Sequence, residues 1–253
     1  MKKIKVGIVN YLNTKPLLYG IERSGIAKQI EMIGDYPSNV ARALLNGDID
    51  LGLVPVAIIP KMDEHYIISN YCIGSDGEVA SVCIFSDVPM NEVKKVLLDY
   101  QSRTSVELAK ILLRNFWKSD AELIPATADF RDQIHGTTAG LVIGDRSFEQ
   151  RTTSRYVYDL GAAWKAFTGL PFVFAAWVSN RKLDDAFIES FNTANAFGVQ
   201  NIDTVIASIA GKTYDLKKYY HHNIQYILDE PKREGLALFL SKIAATEPVE
   251  IKD

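Results

Sequence analysis

The sequence has little cysteine, no long apolar run and no excess of charge of either sign. Cys72 and Cys83 lack CxxC spacing and neighbouring histidines, so we expect reduced, packed thiols. The longest apolar runs fall well short of the roughly 20 residues that span a membrane. With 28 Lys and Arg against 31 Asp and Glu, the chain has no concentrated basic field. We therefore expect a small-molecule partner, no nucleic acid and no membrane, and the oligomeric state stays open.

Several motifs of catalysis and targeting are also missing. The sequence contains no GxSxG, no P-loop and no GxGxxG after a strand, and its four histidines show no HExxH spacing. These absences argue against the usual serine-hydrolase, nucleotide-phosphate and dinucleotide sites, and we expect neither a metal nor a cofactor. The apolar run that follows the N-terminal lysines, residues 6–9, is too short for a signal peptide and favours a cytoplasmic protein.

The first part of the chain alternates strands and helices. Residues 4–9 predict a strand, and Pro16 lies in the first turn of the helix that follows. Ser38 is predicted to be the N-cap of a helix over residues 39–46, which ends at Gly47. Residues 49–59 predict a buried strand and turn. This βαβαβ order indicates a mostly parallel sheet with helices on both faces.

The rest of the chain continues this pattern and then becomes helical. Residues 74–77 predict a loop, and further strands are predicted at 79–86, 93–99, 139–143 and 156–160. A strong helix opens at residues 102–105, where Thr104 and Glu107 have the spacing of a capping box. A short helix is predicted at 146–149, and the tail predicts helices at 183–196, 202–210, 216–220 and 232–245.

The pattern favours an α/β fold of two lobes with a cleft between them. Crossing strands near residues 79–84 and 172–178 would join the lobes, and the helical tail would pack back on the first lobe because no linker precedes it. The predicted division assigns residues 1–83 and 175–253 to lobe 1 and residues 84–174 to lobe 2.

Four predicted loops are rich in small hydroxyl and amide residues: 10–14, 37–39, 102–105 and 144–145. Ligands bind beyond the carboxyl ends of strands in open α/β sheets, where helix N-termini attract anions. The same residue types are ordinary N-caps, so each loop has two interpretations. Arg103 offers a cation for a carboxylate or is a surface side chain. Trp164, Phe167 and Phe172 either form the wall of a pocket or belong to the core.

These loops and their neighbours also resemble a known family. The matching segments are YLNTKPL at 11–17, PS at 37–38, NGDID at 46–50, SV at 81–82, SRTS at 102–105, LVIGD at 141–145 and YDLG at 158–161, followed by Trp164 and TGLPFVFA at 168–175. In this order they are similar to the chorismate dehydratases, which begin the futalosine route to menaquinone. The matches run from residue 9 to about residue 178, and the tail adds little.

The resemblance implies a type II periplasmic-binding-protein fold, used in the cytoplasm, with a dicarboxylate substrate between the lobes. It implies loss of water from chorismate to give 3-[(1-carboxyvinyl)oxy]benzoate, with Asn13 and Ser81 as catalytic residues. The substrate-binding residues that it implies are Thr14, Ser38, Ser102, Arg103, Thr104, Ser105, Gly144 and Asp145. Asn10 stands where the family more often has serine, which leaves its role open.

No general base is evident among these residues, and our hypothesis is that the substrate's own enolpyruvyl carboxylate takes the proton. Two alternatives remain at this point. One is the sibling 1,4-dihydroxy-6-naphthoate synthase, for which we expect a histidine in the cleft; His135 lies in a predicted loop. The other is a non-enzymatic small-anion binding protein of the same fold, against which the missing export signal counts. A sensor domain of a transcription regulator is disfavoured because no helix-turn-helix precedes the first strand.

Overall fold

The computed structural model describes residues 3–127, 130–209 and 214–245. Within these ranges the chain forms two mixed β-sheets flanked by helices. This arrangement confirms the two-lobed α/β fold expected from the sequence. Across the same ranges, none of the helices has the length and apolar character needed to cross a membrane.

The large sheet begins with three parallel strands joined by helices, as the alternating pattern predicts. The elements are β1 (Ile4–Ile8), α1 (Lys15–Glu22), β2 (Ile30–Gly34), α2 (Pro37–Leu45) and β3 (Leu51–Pro55). Strand β1 lies between β2 and β3. All five residues of β3 are buried, which is typical of a strand that has both faces of the sheet covered. A 3-10 turn at Leu12–Thr14 connects β1 to α1.

After β4 (Tyr66–Ser75), which belongs to the large sheet, the chain crosses to a small sheet through residues 76–81. The small-sheet elements are β5 (Val82–Ser86), β6 (Lys95–Leu98), α3 (Thr104–Asn115), β7 (Glu122–Pro125), β8 (Thr138–Ile143), α4 (Arg146–Gln150), β9 (Tyr156–Asp159) and α5 (Leu160–Thr168). The strand order is β7-β6-β8-β5-β9, with β5 antiparallel to both of its neighbours. Residues 82–159 therefore carry the strands of the small sheet.

The chain then returns to the large sheet, and its tail packs there as expected. The remaining elements are β10 (Phe172–Ser179), α6 (Asp185–Gln200), α7 (Ile202–Ala207), α8 (Leu216–Lys218), a π-helical turn at Tyr219–Asn223, β11 (Gln225–Ile227) and α9 (Glu230–Ala245). The order of the large sheet is β11-β4-β10-β3-β1-β2. Helix α6 contacts α1 and β4, and α9 contacts β10. Strand β10 lies wholly in the large sheet. The predicted lobes, residues 1–83 with 175–253 and residues 84–174, stay a prediction.

Helices α1 and α6 approach each other closely where two glycines meet. A β-carbon at Gly198 would overlap the carbonyl oxygen of Pro16, and one at Gly20 would overlap that of Ala194. The missing side chains let the two backbones touch. Because α1 follows the loop of residues 10–14, this contact also fixes the position of that loop.

Four local predictions were wrong. Helix α2 begins at Pro37 with Tyr36 as N-cap, so Ser38 lies inside the helix and does not cap it. The capping box at Thr104 does not form, because the Thr104 hydroxyl accepts a hydrogen bond from the backbone N–H of Ala57. Strand β4 extends to Ser75, beyond the start of the loop predicted at 74–77. The helix predicted over 202–210 ends at Ala207, and its last residue lies outside the described residues.

Candidate functional site

A cavity lies where the two sheets face each other. Its volume is about 60 Å³. Its lining residues on the large-sheet side are Val9, Tyr11, Asn13, Thr14, Pro37, Leu53, Pro55, Ile73, Phe174 and Ala175. The crossover and the small sheet contribute Val79, Ser81, Val82, Ser102, Ser105, Ile143 and Gly144. None of these described residues carries a formal charge, so the cavity presents only neutral dipoles and apolar surface.

The loop after β1 places Asn13 in the cavity by using Thr14 as an internal clamp. The Thr14 hydroxyl lies 2.5 Å from the carbonyl oxygen of Val9 and 2.8 Å from that of Tyr11. The side chain of Thr14 is therefore committed to the loop, although the residue borders the cavity. From the tail, the Tyr226 hydroxyl donates to the backbone carbonyl of Asn13 over 2.8 Å.

The side chain of Asn13 has a buried acceptor that the fold does not use. Its Oδ1 atom has no hydrogen-bond partner within the described part of the chain. A buried acceptor left unpaired costs about 1–3 kcal/mol, and such atoms need a specific explanation. Because Asn13 lines the cavity, a ligand that carries a hydroxyl or an N–H group would supply the missing donor.

Ser81 follows a strained residue at the end of the crossover. Ala80 has φ 63°, a left-handed conformation that costs a residue with a β-carbon on the order of 1 kcal/mol. The Asp159 carboxylate holds this turn, because it accepts hydrogen bonds from the N–H groups of Val79 at 3.1 Å and Ala80 at 2.7 Å. Arg151 donates to the Ala80 carbonyl over 3.0 Å. The position of Ser81 is therefore fixed by residues from two other segments of the chain.

The Asp159 carboxylate also caps α5, where it accepts from the N–H of Ala162 at 3.0 Å. Burial raises the pKa of Asp159, whereas its hydrogen bonds to the N–H groups of Ala162, Val79 and Ala80 act in the opposite direction. The single carboxylate thus ties the small sheet to the turn that presents Ser81.

We expect Asp159→Asn to lower the free energy of unfolding by about 2 kcal/mol, because the new amide N–H₂ would face the Ala80 N–H donor. Asp184→Asn is the matched control: Asp184 caps α6 with one oxygen, which an asparagine retains. Urea unfolding of both variants checks this expectation, and equal stabilities would contradict it.

Side chains of the small sheet close the cavity from the other side. Ser102 and Ser105 lie at the start of α3, and the Ser102 Oγ atom accepts from the N–H of Ser105 over 3.0 Å. Gly144 has φ 66°, and a β-carbon there would lie 3.1 Å from the ring of Tyr11. A glycine is thus required for Tyr11 to pack against this strand end.

Two hydrogen bonds join the loop after β1 to the small sheet. The Tyr11 hydroxyl donates to Oε1 of Gln101 over 2.5 Å, and the Leu12 N–H donates to Oδ1 of Asp145 over 3.1 Å. Arg146 supports Gln101 over 3.0 Å and forms an ion pair with the buried Asp99 at 2.7 Å. This interlobe clasp, formed by Tyr11, Leu12, Gln101 and Asp145, holds the two lobes together across the cavity.

Six of the ten site residues predicted from the sequence line this one cavity: Asn13, Thr14, Ser81, Ser102, Ser105 and Gly144. The other four are not among the described lining residues. Asp145 forms part of the interlobe clasp, Thr104 bonds Ala57, and Ser38 follows the lining residue Pro37 in α2. Arg103 is half-buried at the start of α3, and its Nε atom has no hydrogen-bond partner in the described structure. The roles of all ten remain predictions.

Other residues at the site went unnoticed in the sequence. Tyr219, Tyr220 and Tyr226 lie in the tail, and their hydroxyls bond Ser81, Leu12 and Asn13 respectively. Aromatic residues in this part of the tail have the pattern of core residues, so nothing in the sequence indicated that their hydroxyls contact the site. Trp164 and Phe172 are core residues packed on Phe239, and the lining aromatics among the described residues are Tyr11 and Phe174.

Within the described ranges, no group of three or more His, Cys, Asp or Glu side chains is placed to hold a metal ion. His221 pairs with Asp203 at 2.9 Å on an exposed surface, away from the lining residues. The chemistry available at the cavity is that of amides, hydroxyls and backbone groups.

The chain is similar to known proteins over most of its length. Residues 4–245 match a family described as menaquinone biosynthesis. A curated chorismate dehydratase of Thermus thermophilus is 27% identical over 263 residues, which cover 94% of each chain.

Solved structures resemble the fold at lower sequence identity. A protein of Archaeoglobus fulgidus superposes with a TM-score of 0.74, is 16% identical, and the match covers 96% of both chains. A Candida albicans protein described as having the generic periplasmic binding protein fold has a TM-score of 0.62 at 12% identity, covering 98% of this chain and 92% of that one. The Escherichia coli aliphatic sulphonate binding protein has a TM-score of 0.57 at 14% identity, covering 99% and 96%. The periplasmic-binding-protein-like fold implied by the sequence is thereby confirmed.

Proposed function

The chain belongs to the menaquinone-biosynthesis family, and we propose that it is a chorismate dehydratase, a carbon–oxygen lyase that converts chorismate to 3-[(1-carboxyvinyl)oxy]benzoate and water. The chorismate dehydratase of Thermus thermophilus supports this proposal at 27% identity. The observation that carries it is the unpaired, buried Oδ1 atom of Asn13 in a neutral cavity that also contains Ser81.

Chorismate has one hydroxyl group, on C4, and this hydroxyl is the group that leaves. In the proposed complex the C4 hydroxyl donates a hydrogen bond to the Asn13 Oδ1 atom, which gives this buried acceptor a partner. The Ser81 hydroxyl donates a hydrogen bond to the C4 oxygen and stabilises it as the C4–O bond breaks. Asn13 thus orients the leaving group, and the Ser81 donor stabilises the negative charge that develops on it.

The bond changes balance without an added reactant. The enolpyruvyl carboxylate of the substrate takes the proton from C3, and the electron pair of the C3–H bond forms the C3=C4 double bond as hydroxide leaves C4. The proton then passes from the carboxylic acid to the hydroxide to give water. In the transition state part of this electron pair is delocalised by conjugation onto the ring carboxylate, where N–H and O–H donors stabilise the charge. Ser102, Ser105 and the N-terminus of α3 are the proposed donors.

The proposal can be tested with purified protein and chorismate, followed by proton NMR and mass spectrometry. A dehydratase replaces the ring methine signals by aromatic signals and gives a product one water lighter than chorismate. A binding protein gives thermal stabilisation by chorismate with no product. Unchanged chorismate with no stabilisation rejects both functions, and the sibling naphthoate synthase activity is one explanation that would then be tested with its own substrate.

We expect kcat to be independent of pH between about pH 6 and pH 9. The substrate carboxylates are ionised throughout this range, and the cavity-lining Tyr11 stays neutral because burial raises its pKa above the ordinary value. The measurement is a pH profile of kcat over the range in which circular dichroism shows the protein folded. A rise or fall of kcat centred near the ordinary pKa of histidine would contradict catalysis by the substrate's own carboxylate.

A further inference from the structure

Tyr219, in the tail, reaches the predicted catalytic residue Ser81 from behind the cavity. Its hydroxyl oxygen lies 2.8 Å from the Ser81 Oγ atom, although the two residues are 138 positions apart in the sequence. Both side chains are fully buried, and Tyr219 is not among the described residues that line the cavity. Tyr219 therefore contacts Ser81 from the side opposite to the ligand.

The surroundings of Tyr219 hold its ring in one place. It lies in the π-helical turn Tyr219–Asn223, and such turns are frequent at functional sites. The ring packs edge-on against Phe148, with centroids 5.0 Å apart, and against Tyr214 at 6.1 Å. The same turn also holds the crossover, because Asn223 donates from Nδ2 to the Glu78 carbonyl over 3.1 Å. The turn thus fixes both the backbone before Ser81 and the partner of its hydroxyl.

The direction of the Tyr219–Ser81 hydrogen bond follows from the two hydroxyl groups. A phenol is a stronger hydrogen-bond donor than an aliphatic alcohol, so the Tyr219 O–H donates and the Ser81 oxygen accepts. The pKa of Tyr219 is raised well above its ordinary value by burial, so the phenol keeps this proton at neutral pH. With one lone pair of Ser81 occupied, its own hydrogen is free to point into the cavity, and the accepted bond strengthens it as a donor.

We propose that Tyr219 is a positioning residue that directs the Ser81 hydroxyl toward the leaving hydroxyl of the ligand. This inference rests on the proposed function and goes beyond it, because it assigns part of the catalytic geometry to the helical tail. Tyr219 does not touch the substrate and transfers no proton. Without Tyr219, the Ser81 O–H would adopt several orientations. A smaller fraction of the protein molecules would then direct it toward the leaving hydroxyl.

The test is a double-mutant cycle of Tyr219→Phe and Ser81→Ala, in which kcat and KM are measured at an enzyme concentration high enough for slow variants to remain measurable. We expect Tyr219→Phe to lower kcat roughly 5- to 20-fold, with KM changed less than about 3-fold, since the lost bond orients the leaving-group donor. In the Ser81→Ala background the same substitution should have no further effect on rate. Tyr214→Phe is the matched control, because it removes a phenol from the same aromatic cluster without contacting Ser81; it should leave kcat within about 2-fold.

The possible results separate this inference from the proposed function. If wild-type protein does not convert chorismate, the proposed function fails and this inference fails with it. If wild type is active and Tyr219→Phe equals it, the inference alone is overturned. Equal losses in the presence and absence of Ser81 would show a general structural role and would also overturn it. A loss confined to kcat and absent in the Ser81→Ala background supports the positioning role, and melting temperatures of all variants verify that they are folded.

Discussion

Asn13→Ala is expected to lower kcat about 100-fold or more while leaving the protein as stable as wild type. The substitution removes the acceptor proposed to hold the C4 hydroxyl in its reactive orientation, and misplacing a reacting group typically costs about 100-fold in rate. Stability should not fall, because the Asn13 Oδ1 atom makes no hydrogen bond within the described structure. The measurements are chorismate turnover and thermal unfolding of the same preparations.

Asn10→Ala is the matched control for this prediction. Asn10 belongs to the same loop but is exposed and is not among the lining residues, so its replacement should change kcat by less than about 2-fold. Because the resemblance leaves the role of Asn10 open, this contrast also tests which asparagine of the loop contacts the ligand. Full activity of Asn13→Ala, or equal losses in both variants, would remove Asn13 from the site.

Gly198→Ala is expected to lower the free energy of unfolding by about 3 kcal/mol. The new methyl group would overlap the carbonyl oxygen of Pro16 and lie 2.9 Å from the backbone nitrogen of Gly20. Because these neighbours are backbone atoms, the overlap can be relieved only if α1 and α6 move apart. The gain in helix propensity on replacing glycine by alanine, about 1 kcal/mol, is too small to offset this overlap. Activity should fall too, since α1 follows the loop that carries Asn13.

Gly25→Ala tests whether the effect comes from the close contact of the helices. Nothing lies within 4 Å of a β-carbon at Gly25, so this variant should remain within about 0.5 kcal/mol of wild type. Urea unfolding of both variants, analysed with a common slope, gives the comparison. A Gly198→Ala protein as stable as wild type would show that the α1–α6 crossing accommodates a methyl group.

The sequence predicted the elements of the fold that depend on local pattern. The βα order of the first 55 residues, the strand at β8 and the short helix α4 were recognised because apolar runs and polar loops alternate there. The positions of Asn13 and Ser81 came from the family resemblance, and the structure brings both to one cavity. What local pattern cannot supply is the partner that a hydroxyl selects. The Thr104 hydroxyl, for example, bonds the distant Ala57 N–H and not a helix N-terminus.

The residues that hold Ser81 in place could not be predicted from the sequence either, because their contacts depend on the tertiary fold. Tyr219 and Ser81 meet only after the chain has formed both sheets and returned, and their contact joins residues 138 positions apart. A tyrosine in a helical tail has the pattern of a core residue, whatever its hydroxyl bonds. The strain at Ala80 is likewise invisible in the sequence, because alanine rarely adopts a positive φ and nothing nearby suggests that it must.

The most direct measurement of the central claim is a crystal structure of the Ser81→Ala variant soaked with chorismate for less time than one turnover of that variant. We expect chorismate between the two sheets, with the C4 oxygen within about 3.2 Å of the Asn13 side-chain amide. We also expect the ring carboxylate beside Ser102, Ser105 and the start of α3. Chorismate bound outside this cavity, or bound in it with the C4 hydroxyl turned away from Asn13, would contradict the account.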